Sequence, residues 1–104
     1  MLTNGRVLSR AAYAEAVVRL GLDEIVVRVH GADAARADGA TGVPGSFRQA
    51  VLGVAALSRR KQAYGLELGG PPRSAEERRE ILAAVERAVG QAVQQAVRQV
   101  QPRP

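Results

Sequence analysis

Few residues in this 104-residue chain could carry chemistry, and they gather in its first half. His30 is the only histidine, and Asp33 and Asp38 follow it closely. Imidazole beside carboxylate is the pairing of a general base, but that role needs a hydrogen-bond geometry that spacing cannot supply. Thr3 and Asn4, just before Gly5, offer neutral hydrogen-bonding groups. Asn-Gly is also an ordinary turn pair, and a single histidine at a strand end is more often structural than catalytic. No Ser/His/Asp set, phosphate loop or metal-ligand cluster is visible. Cysteine is absent, so this chain has no disulfide, no thiol nucleophile and no cysteine-held metal cluster.

Elements must position these residues. A helix is predicted from about Ser9, which can cap its first turn, with Ala12, Ala16, Val17 and Leu20 at helical spacing. Gly21 then suits the left-handed position after the last turn. Ile25-Val26-Val27-Arg28-Val29 is short and β-branched and predicts a strand, its apolar run suiting a sheet covered on both faces. His30-Gly31-Ala32-Asp33 leaves that strand, and a polar, glycine-rich loop is expected as far as Gly42. A second helix is expected from Pro44 to Ser46 onward, with Phe47, Val51, Val54 and Leu57 on one face. Tyr64 to Leu68 reads as another short strand, interrupted by Gly65.

Gly69-Gly70-Pro71-Pro72 is a break. Ser74 and Glu77 then form a capping-box pattern. Leu82, Val85, Val89, Ala92, Val93, Ala96 and Val100 make an apolar stripe behind it, weakened at Gly90. The polar half is glutamine-rich and ends in a Pro102-Arg103-Pro104 tail. The whole order is βαβαβα, which predicts an α/β fold with a parallel sheet and a long C-terminal helix. It divides into βα units over 1–68, a Gly/Pro linker over 69–73 and an amphipathic helix over 74–101.

Apolar residues make up 46% of the chain, yet Tyr13, Phe47 and Tyr64 are the only aromatics, so the core is one of Ala, Val and Leu and the stability expected is marginal. The net charge is +5, with Lys61 the only lysine. The arginines are scattered from Arg6 to Arg103, and no basic face carries stacking aromatics, so nucleic acid is not the expected partner. No apolar stretch approaches a signal peptide or a membrane span, which makes a cytoplasmic protein without membrane contact the expectation. The C-terminal apolar stripe would suit a homo-oligomer if it were left exposed.

Four landmarks in order resemble the middle of the radical SAM partial barrel. They are Thr3-Asn4-Gly5, then Gly21-Leu22-Asp23-Glu24-Ile25-Val26-Val27, then Val29-His30-Gly31-Ala32-Asp33-Ala34, and Thr41-Gly42-Val43-Pro44-Gly45-Ser46-Phe47. Together they cover about residues 2 to 57. The resemblance implies a fragment of a parallel βα barrel with Thr3, Asn4, Arg28 and His30 at vestigial strand-end positions near a nucleoside. It also implies the family's chemistry, reductive cleavage of S-adenosylmethionine at a [4Fe–4S] cluster held by a C-x3-C-x2-C loop. This chain lacks that loop, and Arg28 stands where the family usually has serine. Arg36 to Gly42 also departs from the family's THD and RLTG pattern. The expectation is therefore a truncated or degenerate pseudoenzyme that needs no cofactor and has no catalytic residue of its own. Its partner is left open between a homo-oligomer and a missing barrel half; the competing reading is a small interaction module that oligomerises through its C-terminal helix.

Overall fold

Ile25–Val29 forms the central strand, as its β-branched run requires. The computed structural model describes residues 1–5, 7–71 and 73–100, and the side chains up to 98. The Pro102-Arg103-Pro104 tail, helix position 101, Arg6, Pro72 and the Val100 side chain lie outside the described residues.

Within them the order is β1 (Leu2–Thr3), a 3₁₀ turn (Val7–Ser9), α1 (Ala11–Val18), β2 (Ile25–Val29), α2 (Ala34–Thr41), α3 (Ser46–Arg59), β3 (Tyr64–Leu68) and α4 (Ala75–Val100). The chain is thus α/β, with a three-stranded parallel sheet in the order β1-β2-β3 and a long C-terminal helix. Leu2 pairs with Val26, and Ile25 to Val29 pair in step with Tyr64 to Leu68.

Because side chains alternate along a strand, this register sorts the sheet into two faces. Ile25, Val27 and Val29 are buried and share one core with Leu8, Val17, Val54, Leu57, Val85 and Val89. Tyr64, Leu66 and Leu68 pack on the same core. Burying each of these aliphatic side chains stabilises the fold by about 1.5–3 kcal/mol. The other face carries Leu2, Val26, Arg28, Gly65 and Glu67, with Leu2 and Arg28 exposed. The expectation of a sheet covered on both faces is corrected here. Helices α1, α3 and α4 all pack on one core, so among the described residues one face stays open although the strand is nearly all apolar.

Two helices also differ from the pattern. The first is split: Val7–Ser9 is a 3₁₀ turn that inserts the fully buried Leu8, and the cap position of α1 falls on Arg10, with no side-chain cap. Its buried residues are Ala14 and Val17, whereas Ala12, Ala16 and Leu20 are exposed. Alanine occurs on every side of α1, so spacing says little about which side turns inward. Gly21 takes the left-handed conformation expected of it. The loop expected from Gly31 to Gly42 contains α2. Asp33 caps it by accepting from the Arg36 N–H at 2.9 Å, and Gly42 closes it with φ 71°. The alanines between them favour helix, and Gly39 lies on the exposed side, where it costs only propensity.

The remaining elements follow their local signals. Val51, Val54 and Leu57 of α3 are buried and Phe47 is half-buried. The Ser74 Oγ accepts from the Glu77 N–H at 3.1 Å and opens α4. Val85 and Val89 of α4 enter the core, and Leu82, Ala92 and Val93 pack on it.

α4 also holds Tyr64, whose hydroxyl donates to Glu86 Oε2 at 3.0 Å. Desolvation first, and then the Glu86 carboxylate, push the phenol up to about 12. The raised value means that this contribution is complete below the ordinary tyrosine range near 10 and is lost as pH rises from there through about 12. Ultraviolet titration is expected to show Tyr64 ionising near pH 12, and Glu86→Gln is expected to bring that titration down.

Candidate functional site

At the carboxyl end of β1 and β2 a cavity of about 70 Å³ opens between the strand ends and the α2–α3 connection. Asn4 and His30 line it on the strand side, and Thr41, Ser46, Phe47 and Ala50 on the helix side. Parallel βα architecture gathers chemistry at this end of the sheet.

Three of the four residues expected there line the cavity, and Thr3 does not. Asn4 and His30 reach the cavity, and so does Arg28 as part of its wall. The Thr3 Oγ1 accepts from the Gly5 N–H at 3.2 Å, a turn contact within its own loop. Arg28 projects from the open face, where its Nη2 meets Glu67 Oε1 at 3.2 Å. Both partners are close to half exposed, so this pair contributes little to stability. Gly69 supports both neighbours: a Cβ there would lie 2.7 Å from the His30 ring and 3.1 Å from Arg28 Cδ. The absence of a side chain at Gly69 lets the imidazole lie on the β3 backbone.

The carboxylates near His30 in sequence are engaged elsewhere. Asp33 caps α2. Asp38 closes the start of α3: its Oδ1 accepts from the Phe47 N–H at 2.9 Å and the Ser46 hydroxyl at 3.0 Å, and its Oδ2 accepts from the Gly45 N–H at 2.9 Å. Thr41 Oγ1 joins at 2.9 Å from Ser46 Oγ and accepts from the Val43 N–H. The positive end of α3, a natural seat for an anion, is thus filled by the chain's own aspartate. His30 has no hydrogen-bonded carboxylate among the described residues, and the His30–Asp base pair is not assembled.

These N–H groups, Phe47 first and Gly45 next, hold the Asp38 carboxyl below its ordinary range. A depressed carboxyl contributes stability that is present above the unfolded value of about 4 and is lost as pH falls through the folded value. Asp38→Asn is therefore expected to be less stable than the parent at neutral pH. The urea midpoints of the two proteins should converge on acidification below about pH 4. The cap was foreshadowed only by Asp38 lying shortly before Gly45-Ser46-Phe47, a separation no capping rule covers.

The donor set does not fit an iron–sulfur cluster. The sequence has no thiolate, and the described residues contain no group of three or more His, Cys, Asp or Glu able to hold a metal. No described helix is long and apolar enough to cross a membrane. No protein-family model, curated protein or solved structure matches this chain.

Proposed function

We propose that this chain is a segment of a radical SAM-type βα barrel that cleaves no S-adenosylmethionine by itself and works only with the strands that cover its open sheet. The observation carrying this reading is the sequential parallel order β1-β2-β3 around a single core, with the opposite face left open. Sheets made wholly of parallel strands are almost always covered on both faces, as in a closed barrel whose inner face packs against side chains of the opposite strands. Asn4 and His30 meeting at one mouth agree with the landmarks of the resemblance. On this reading the thiolates of the family's cluster belong to another stretch of polypeptide, since this chain has no cysteine.

The decisive experiment reads the native transcript upstream of Met1 together with the intact mass of the endogenous protein. A C-x3-C-x2-C loop joined in frame, in a product heavier than this chain, is the expected result. An endogenous product of this mass with no such loop on its transcript sinks the barrel reading. Reconstitution of this chain alone with iron and sulfide is expected to form no 5′-deoxyadenosine from S-adenosylmethionine under reducing conditions.

A second reading, a self-associating α/β module, is favoured by the unprotected edge of β3. The C-terminal helix is the weaker surface for it. Its stripe is occupied by the chain's own core as far as Val93, which among the described residues leaves Val97 as the exposed large apolar residue near its end.

A further inference from the structure

We infer that β3 is the self-association edge, pairing antiparallel with β3 of a second copy about a two-fold axis at Leu66. The inference rests on the self-association reading above. Ile25 N–H donates to Ala63 and Gly69 N–H donates to Val29, so the odd-numbered residues of β3 face β2. In a parallel ladder the backbone groups of the intervening residues, Tyr64, Leu66 and Leu68, then point away from the sheet. They have no hydrogen-bond partner among the described residues. Natural edges are blunted by lysine, proline, bulges or unpaired charge. Tyr64-Gly65-Leu66-Glu67-Leu68 has none of these, since its one charge is already met by Arg28.

The identity of the partner strand follows from register and charge. An axis at Leu66 joins Tyr64 to Leu68 of the second copy and Leu66 to Leu66, so all three outward residues exchange hydrogen bonds. Their side chains lie on the core face, placing apolar against apolar. On the open face each Glu67 stands opposite Gly65. A shift that centres on Glu67 sets two carboxylates against each other, and one that centres on Gly65 leaves Leu68 unpaired; both lose a hydrogen-bonded pair. The strand is therefore self-complementary in one antiparallel register. The edge alone is smaller than a standard interface, so the dimer is expected to be weak, with a dissociation constant of roughly micromolar or above.

The absence of cysteine makes single labelling clean. A spin label on Glu67→Cys is expected to show strong dipolar broadening at high protein concentration, because the two positions lie on a diagonal of about 8 Å. A label on Leu20→Cys, exposed on the α1–β2 connection, should show none. Leu66→Pro removes an N–H that β2 does not use. It should weaken self-association more than about tenfold with the circular dichroism retained. Leu66→Ala, which trims the same packing but keeps the N–H, should weaken association by less than about fivefold in light scattering. A chain monomeric at all concentrations, or a dimer without Glu67 broadening, overturns the inference. So does a dimer that the alanine variant weakens as much as the proline variant. A cysteine-bearing polypeptide that pairs parallel with this edge also overturns it while leaving the barrel reading intact.

Discussion

Gly53→Ala is expected to lower the unfolding free energy by about 2–3 kcal/mol, although the same change usually stabilises a helix interior by ~1 kcal/mol. Gly53 lies buried in α3, and a Cβ there would be driven into the Gly5 carbonyl oxygen. That carbonyl cannot retreat easily. Gly5 holds φ 75°, and the space where its own Cβ would point is filled by Val27 Cγ1 at 2.8 Å. The turn after β1 and the middle of α3 are thus in backbone contact, a closeness that requires glycine on both sides. Gly90→Ala is the matched control. It lies exposed in α4 with nothing within 4 Å of a new Cβ, so the propensity gain of ~1 kcal/mol should appear in full. Denaturant midpoints of the two variants should move in opposite directions from the parent. A neutral Gly53→Ala would show that the Gly5 turn yields.

Leu57→Ala carries the other large effect, a loss of about 3 kcal/mol. Leu57 is fully buried near the end of α3, in the core shared with Ile25, Val54 and Val85. Truncation removes its transfer free energy and leaves a cavity that neighbours held by two strands and two helices cannot fill. Since a small domain has a total stability of order 5–15 kcal/mol, and this one lacks buried rings, the variant should be close to unfolding at 37 °C. Leu20→Ala, at a side chain 68% exposed, should change the midpoint by less than about 0.5 kcal/mol. Equal effects at the two positions would refute the placement of the core.

α3 was legible because Phe47, Val51, Val54 and Leu57 repeat at helical spacing, and three of the four are buried. β3 spans the expected Tyr64 to Leu68, and Gly65 does not break it, because it sits on the open face where no core packing is asked of it. α2 was hidden for the opposite reason. Its Asp33 cap and Gly42 terminator stood in plain view, but a glycine and polar residues inside the segment resembled a loop. At the strand ends, the placement of Asn4 and His30 at one mouth followed from strand polarity. The diversion of Arg28 to Glu67 did not, since it depends on the register between β2 and β3.

The sequence by itself determined the α/β class, the central strand, the long C-terminal helix with its Ser74 cap and the absence of thiolate chemistry. Each of these is a matter of composition or of interactions spanning a few residues. Only the tertiary structure decided that, among the described residues, one face of the sheet stays open and the edge of β3 is unpaired. It alone placed Gly53 against Gly5 and assigned Asp38 to the start of α3 rather than to His30. Those outcomes are set by contacts between residues far apart in the chain, where packing and register choose among partners that local sequence leaves equally eligible.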